Sequence, residues 1–176
     1  MKLRTVVSEE EWSVLENLYK SAFPENERKP FEMIREKYFR KMTDVWVIEE
    51  EGTFSGFAIT MNGKDLVLLD YFAICEEKRG MGLGGRSLRA LQKLYEGKRF
   101  FLEVESLDVP ADNMEERRRR KQFYLNNGMA ELGVQAKLFG VEFELLGYEC
   151  EVNFQDYFSL YDMIYGKYAS QFLVEL

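Results

Sequence analysis

The sequence contains no histidine. A triad built on imidazole, a histidine metal ligand and an imidazole general base are all excluded, so acid–base chemistry falls to carboxylates, tyrosine, lysine or cysteine. Cysteine is scarce. Cys75 and Cys150 stand alone without a CxxC spacing, and the expectation is two buried free thiols, no disulfide and no metal site. No apolar run approaches a membrane span, and no signal-length apolar stretch follows Met1-Lys2-Leu3-Arg4-Thr5. The cytoplasm is the expected compartment, with no membrane partner. Positive charge is also in deficit: 24 Lys and Arg against 31 Asp and Glu leave a net charge of -7. That balance argues against binding nucleic acid and is compatible with a cationic substrate.

What is present describes one globular domain. The 176 residues are 46% hydrophobic and 31% charged, with no repeat, linker or low-complexity tract, so residues 1–176 read as a single unit. A short strand from Leu3 to Val7 leads to Ser8, an N-cap with Glu11 three residues on as its capping-box partner. Trp12, Leu15, Leu18, Tyr19 and Ala22 keep helical spacing up to Pro24, and Pro30 opens a second helix carrying Phe31, Ile34 and Tyr38. Strands are expected at 45–50, 53–61 and 66–74. The last is a near-continuous apolar run, as in a strand buried on both faces, interrupted by Asp70. A carboxylate there needs a structural partner or a place in the active site.

A third helix carries Leu88, Leu91, Leu94 and Tyr95 and stops near Gly97. Along the strand from Arg99 to Ser106, Phe101, Glu103 and Glu105 share one face. A fourth helix at about 113–126 closes on Gly128, and two strands follow at 130–138 and 141–152. The tail from Phe154 places Tyr157, Phe158, Tyr161, Ile164, Tyr165, Tyr168 and Phe172 at helical spacing. That stripe reads as a helix packed on the sheet, with a homodimer face as the alternative. The order β-α-α-β-β-β-α-β-α-β-β-α is mixed α/β (α+β).

Between the buried strand and the third helix lies Lys78-Arg79-Gly80-Met81-Gly82-Leu83-Gly84-Gly85-Arg86-Ser87. Glycines there let backbone N–H groups approach an anion, and the helix N-terminus adds partial positive charge. Three phosphate motifs compete for these residues. Gly80, Gly82 and Gly85 satisfy GxGxxG, with Glu103 or Glu105 near the distance of a ribose carboxylate, but the further βαβ units of a dinucleotide fold are missing. Gly80 to Ser87 approximates a P-loop with Arg86 in place of its lysine. Arg79-Gly80-Met81-Gly82-Leu83-Gly84 matches [QR]xxGx[GA].

The third pattern resembles the GNAT superfamily of N-acetyltransferases, and the element order agrees over nearly the whole chain. Two further stretches support it. Phe123-Tyr124-Leu125-Asn126-Asn127-Gly128 is similar to the family's FYxxxGF, and Leu102-Glu103-Val104 to the LEV of the fifth strand in ribosomal-protein N-acetyltransferases. The resemblance implies a seven-stranded, mostly antiparallel sheet with helices on both faces, plus an extra C-terminal helix. It implies an enzyme that moves an acetyl group from acetyl-CoA to the primary amine of a small molecule or peptide. Phe72, Ala73 and Ile74 would then pair with the pantetheine arm, and Arg79, Gly80, Met81, Gly82, Gly84 and Gly85 would hold the pyrophosphate.

A free alkylamine has a pKa of about 10 and must be neutral to attack. By the resemblance, Glu103 or Glu105 would take its proton through an ordered water, and Tyr124 would act as general acid toward the departing thiolate. The connection of the first two helices would line the acceptor pocket, which makes Phe23, Glu25 and Arg28, with Asp70, candidate substrate contacts. One departure is clear: Arg117 and Arg120 stand where many members carry Asn and Ala, inside Arg117-Arg118-Arg119-Arg120-Lys121. That run reads as a helix face neutralised by nearby acids, or as a contact for the CoA 3′-phosphate. A nicotinamide-dependent oxidoreductase and a catalytically silent CoA-binding module are the rival classes.

Overall fold

Ser8 opens the first helix through a cap that differs from the expected box. Its hydroxyl accepts from the Glu11 N–H at 3.3 Å, but the Glu11 carboxylate turns to the Val7 N–H at 2.9 Å and to Arg4 at 3.0 Å. Arg4 also reaches Glu49 at 2.7 Å. The carboxylate that would close the box thus ties the helix to the first strand instead. The computed structural model describes residues 1–176 and divides into two compact units, Met1–Met61 with Leu69–Leu94, and Asn62–Leu68 with Tyr95–Leu176.

Strands β1 (Lys2–Thr5), β2 (Thr43–Glu50), β3 (Thr53–Asn62) and β4 (Leu66–Ile74) are neighbours in that order, and all but Asn62 and Leu66–Leu68 of them belong to the first unit. The β1–β2 and β2–β3 pairs are antiparallel, with a bulge at Ile48/Glu49. Helices α1 (Glu9–Ala22) and α2 (Phe31–Phe39) contribute Trp12, Leu15, Tyr19, Phe31 and Ile34 to a core completed by Val45, Val47, Phe57, Ile59, Tyr71 and Ala73. A 3-10 turn at Glu25–Glu27 joins the two helices, and α3 (Leu83–Leu94) follows β4. Leu88 and Leu91 of α3 are fully buried.

In the second unit, β5 (Arg99–Glu105), β7 (Val141–Tyr148), β6 (Ala130–Leu138) and β8 (Leu173–Glu175) are neighbours in that order, and their pairs are antiparallel. Helix α4 (Met114–Asn126) precedes β6, and α5 (Phe154–Tyr165) and α6 (Lys167–Ser170) precede β8. The fold is mixed α/β and mostly antiparallel, as expected, but it has eight strands rather than seven. The extra strand lies in the tail. Gly166 at φ 57 breaks the helical stripe after Tyr165, and Leu173–Glu175 then pairs with Ala136–Leu138. Strand β7 ends at Tyr148 rather than at Val152, because Glu149 turns to φ 48. Both cysteines are free, and each is half-buried rather than buried.

Candidate active site

The strand-to-helix connection is built by backbone hydrogen bonds. The Cys75 N–H donates to Ser55 O at 2.9 Å, holding the end of β4 on β3. A 3-10 turn at Glu76–Lys78 follows, and Arg79 N–H donates back to Glu76 O at 3.1 Å. Gly80 (φ 76) and Gly82 (φ 71) occupy the left-handed region, which L side chains enter only at a cost. The first bond of α3 then closes from the Arg86 N–H to Gly82 O at 3.1 Å.

A Cβ added at Gly80 or Gly82 would meet nothing within 4 Å, so backbone dihedrals and not crowding require glycine here. The first N–H groups of α3 have no partner within the helix. No acidic side chain stands in its first turn to compete for them. These features fit a bound phosphate. The Arg79 guanidinium donates to Ile74 O at 3.1 Å, and Arg86 pairs with Glu50 at 2.7 Å. Met81, between the two left-handed glycines, is exposed, while Ala73 is buried and Phe72 and Ile74 are half-buried.

Gly56 was not expected to matter. A Cβ there would lie 2.3 Å from Ala73 O and 3.1 Å from the Ile74 Cα, so β3 approaches β4 closely beside the residues expected to carry the pantetheine arm. An isolated glycine inside a strand pattern was the available signal.

In the second unit, β5 presents the two candidate bases in different settings. Glu103 Oε1 accepts hydrogen bonds from the hydroxyls of Tyr157 and Tyr161, both 2.7 Å long and both from α5. Both tyrosines are fully buried, and Tyr157 packs edge-on against Phe101 at 6.2 Å. Glu105 is buried and takes the Arg120 guanidinium of α4 on both carboxylate oxygens. The ion pair with the arginine-rich helix therefore forms at Glu105, whereas Glu103 is served by phenols.

The rest of that helix is divided. Arg117 binds Asn113 at 2.9 Å and Ser106 O at 3.2 Å, and Lys121 pairs with Glu144 at 2.8 Å and with Glu131. Arg118 and Arg119 are exposed. Tyr124, four residues after Arg120, is buried. Burial pushes its phenol up to about 12, with Arg120 pulling it down and Glu105 pushing it up. A phenol in that state stays protonated at neutral pH and is available as a proton donor.

The connection of α1 and α2 is fixed to β4 in the first unit. The Tyr71 hydroxyl donates to Glu27 O at 2.9 Å and accepts from the Lys29 N–H at 3.0 Å, and the Tyr19 hydroxyl donates to Lys29 O at 2.9 Å. Phe23 packs edge-on to Tyr71 at 5.0 Å. Glu25 is exposed, and Arg28 turns away to Lys20 O at 3.3 Å, at the end of α1. Asp70 has the partner that its burial demands: Lys29 Nζ at 2.7 Å, with side chains 6% and 2% exposed. Lys29, Tyr19 and Tyr71 were not expected as neighbours of Asp70. The sequence signal was weak, a lysine just before Pro30 and aromatics that read simply as core.

The mixed, mostly antiparallel sheet, with a glycine-rich turn between its fourth strand and the following helix, is the architecture of an acetyltransferase fold. The chain belongs to the Acetyltransferase (GNAT) family, whose profile matches residues 12–119. No curated protein matches the chain by sequence. Solved structures do. A protein described as a GNAT-family acetyltransferase from Bacteroides thetaiotaomicron superposes with a TM-score of 0.76 at 21% identity, over 94% of this chain and 99% of that one. An aminoglycoside 6′-N-acetyltransferase complexed with coenzyme A gives 0.67 at 16% identity, over 84% and 96%. A chimera of the spermidine N-acetyltransferase of Vibrio cholerae gives 0.63 at 16% identity, over 84% and 96%. At these identities the likeness is one of fold.

Proposed function

We propose that the whole chain acts as one N-acetyltransferase domain that moves an acetyl group from acetyl-CoA to a primary amine by direct attack. The observation that carries this reading is the cradle at Gly80–Gly85. It combines two left-handed glycines, an open outer side and a helix N-terminus without acidic competition. Coenzyme A supplies the activated thioester, and a coenzyme A complex of a protein with this fold supports its choice over other phosphate ligands. Amides of Arg79 to Gly85 take the pyrophosphate, and Phe72, Ala73 and Ile74 align the pantetheine arm along β4.

Glu103, through a bridging water, or Glu105 removes the proton of the attacking amine, and Tyr124 gives one to the departing sulfur. The raised pKa of Tyr124 supports the donor role. Phe23, Glu25, Arg28 and Asp70 contribute to the acceptor side. Proteins of this fold that act on spermidine and on aminoglycosides support an amine acceptor. Calorimetric titration with acetyl-CoA, run in parallel with NAD and ATP, tests the reading. Selective binding of acetyl-CoA is the expected result. Binding of NAD in its place would overturn it in favour of an oxidoreductase.

A further inference from the structure

Exposed apolar side chains gather at the end of the second unit. Tyr157, Tyr161 and Tyr165 of the aromatic stripe are buried, but Tyr168 and Phe172 are exposed. Phe139 joins them, its ring centre 5.7 Å from Tyr168 and 5.1 Å from Phe172. Strand β8 extends the patch. Phe172, Val174 and Leu176 are 49%, 53% and 55% exposed, while Leu173 between them is 5% exposed. That alternation puts the even-numbered side chains together on one open face.

Strand β8 also ends the sheet order, so no strand lies along its outer edge. The Leu176 N–H donates to Gln135 O at 3.1 Å, in the register that pairs β8 with β6. The alternation of an antiparallel ladder then turns the backbone groups of Val174 toward β6. Those of Leu173 and Glu175 point to the open edge. Folded proteins commonly protect such an edge with lysine, proline or a bulge. In the first unit, β1 carries Lys2 and Arg4. Strand β8 reads Leu173-Val174-Glu175, and its register with β6 runs unbroken.

The edge is complementary to itself. Set antiparallel about a two-fold axis at Val174, the strand meets Val174 of the partner subunit in a non-hydrogen-bonded pair. Leu173 then exchanges both backbone hydrogen bonds with Glu175 of the partner subunit. Phe172 lies opposite Leu176 of the partner subunit, so each exposed apolar side chain of the strand meets an apolar one. Glu175 faces Leu173 of the partner subunit, and no like charges stand directly opposite.

We propose that the open edge of β8 is a homodimer interface, in which two copies join their sheets antiparallel about Val174. The proposal is independent of the acetyltransferase reading. Phe172, Val174 and Leu176 expose on the order of 300 Å² per copy, counting a whole aromatic side chain at about 200 Å². A standard interface covers about 800 Å² per partner, so the dimer should be weak and concentration-dependent, with a Kd of about 1–100 µM.

Sedimentation velocity of the full chain from about 2 to 200 µM should show monomer passing to dimer and no further growth, because pairing uses up the open edge. Val174→Lys sets two ammonium groups across the axis and should raise Kd at least roughly tenfold. Val174→Ile should leave Kd within about threefold. Val174 is exposed in the single chain, so both variants should keep Tm within about 2 °C of the wild type. Val174→Cys reads the position of the contact. A non-hydrogen-bonded pair brings its two Cα atoms to about 4.5 Å, within disulfide reach, so mild oxidation should give a crosslinked dimer. The wild type, whose Cys75 and Cys150 are half-buried, should not crosslink, and neither should Met163→Cys on the exposed side of α5. A chain monomeric at about 200 µM, assembly beyond the dimer, a dimer indifferent to Val174→Lys, or Val174→Cys crosslinking no faster than Met163→Cys would each overturn the proposal.

Discussion

Gly82 offers a clean electrostatic test of the phosphate cradle. Its φ is 71, and an added Cβ meets no atom within 4 Å. Asn and Asp tolerate left-handed backbone better than other side chains, so either replacement should cost less than about 1 kcal/mol in stability. The two side chains are nearly isosteric and differ by one negative charge. A phosphate held by the amides of this loop lies within about 6 Å of such a charge. With an effective dielectric between about 20 and 80, that repulsion amounts to roughly 1 to 3 kcal/mol. Gly82→Asp should therefore bind acetyl-CoA about 5- to 150-fold more weakly than Gly82→Asn.

Isothermal calorimetry on the two variants reads that difference directly, and added salt should narrow it through screening. Gly140, at φ 84 with nothing within 4 Å of an added Cβ, provides the control, since the same pair of changes there should leave affinity unaltered. Equal affinity of Gly82→Asp and Gly82→Asn would refute the assignment, because no anion could then sit at this loop.

Three further outcomes are expected. With a pKa of about 12, the Tyr124 phenol is only about 1% ionised at pH 10. Its deprotonation should therefore leave kcat intact up to pH 10, and an alkaline loss of kcat in the wild type that vanishes in Tyr124→Phe, with an apparent pKa near 10, would contradict a buried donor. Tyr124→Phe should lower kcat by about 10² to 10⁴ at unchanged acetyl-CoA affinity. The same raised pKa makes Tyr124 a source of stability below pH 10 that is lost as pH rises from 10 through 12, because the unfolded phenol ionises first.

Gly56→Ala places a methyl 2.3 Å from Ala73 O and should cost about 1–3 kcal/mol, read as a drop in Tm of roughly 2–4 °C per kcal/mol. It should weaken acetyl-CoA binding as well, and an unchanged affinity would detach β3 from the proposed pantetheine contact on β4. Tyr157→Phe and Tyr161→Phe each remove a hydrogen bond to Glu103 worth about 1.5–3 kcal/mol if that carboxylate is ionised. Urea denaturation of the single and double variants should reveal non-additive losses, and strict additivity would argue against one shared acceptor.

Periodicity and turn chemistry made most of the fold legible. The apolar run from Leu66 to Ile74 announced a buried strand at the bounds it has, and Pro30 marked the start of α2. The errors fall where one residue's backbone overrides a pattern. The aromatic stripe runs unbroken through Phe172, yet Gly166 adopts φ 57 and the chain after it turns into a short helix and an edge strand. The positive φ of Gly166 could not be inferred from spacing. The capping box failed for a related reason. Spacing alone put Glu11 on the Ser8 N–H, but Arg4 on β1, seven residues earlier in the chain, drew the carboxylate away.

At the candidate site, positions were legible and partners were not. Spacing put Glu103 and Glu105 on one strand face, as candidate bases or as partners of the arginine-rich helix, without distinguishing the two. Arg120 of α4 pairs with Glu105 at the end of β5, while Glu103 meets two buried phenols of α5, which returns some fifty residues later. The same limit applies to Asp70 and Lys29, separated by 41 residues. An interrupted apolar run showed that a partner was needed, and only tertiary structure identified it as a lysine that leaves one oxygen unmatched.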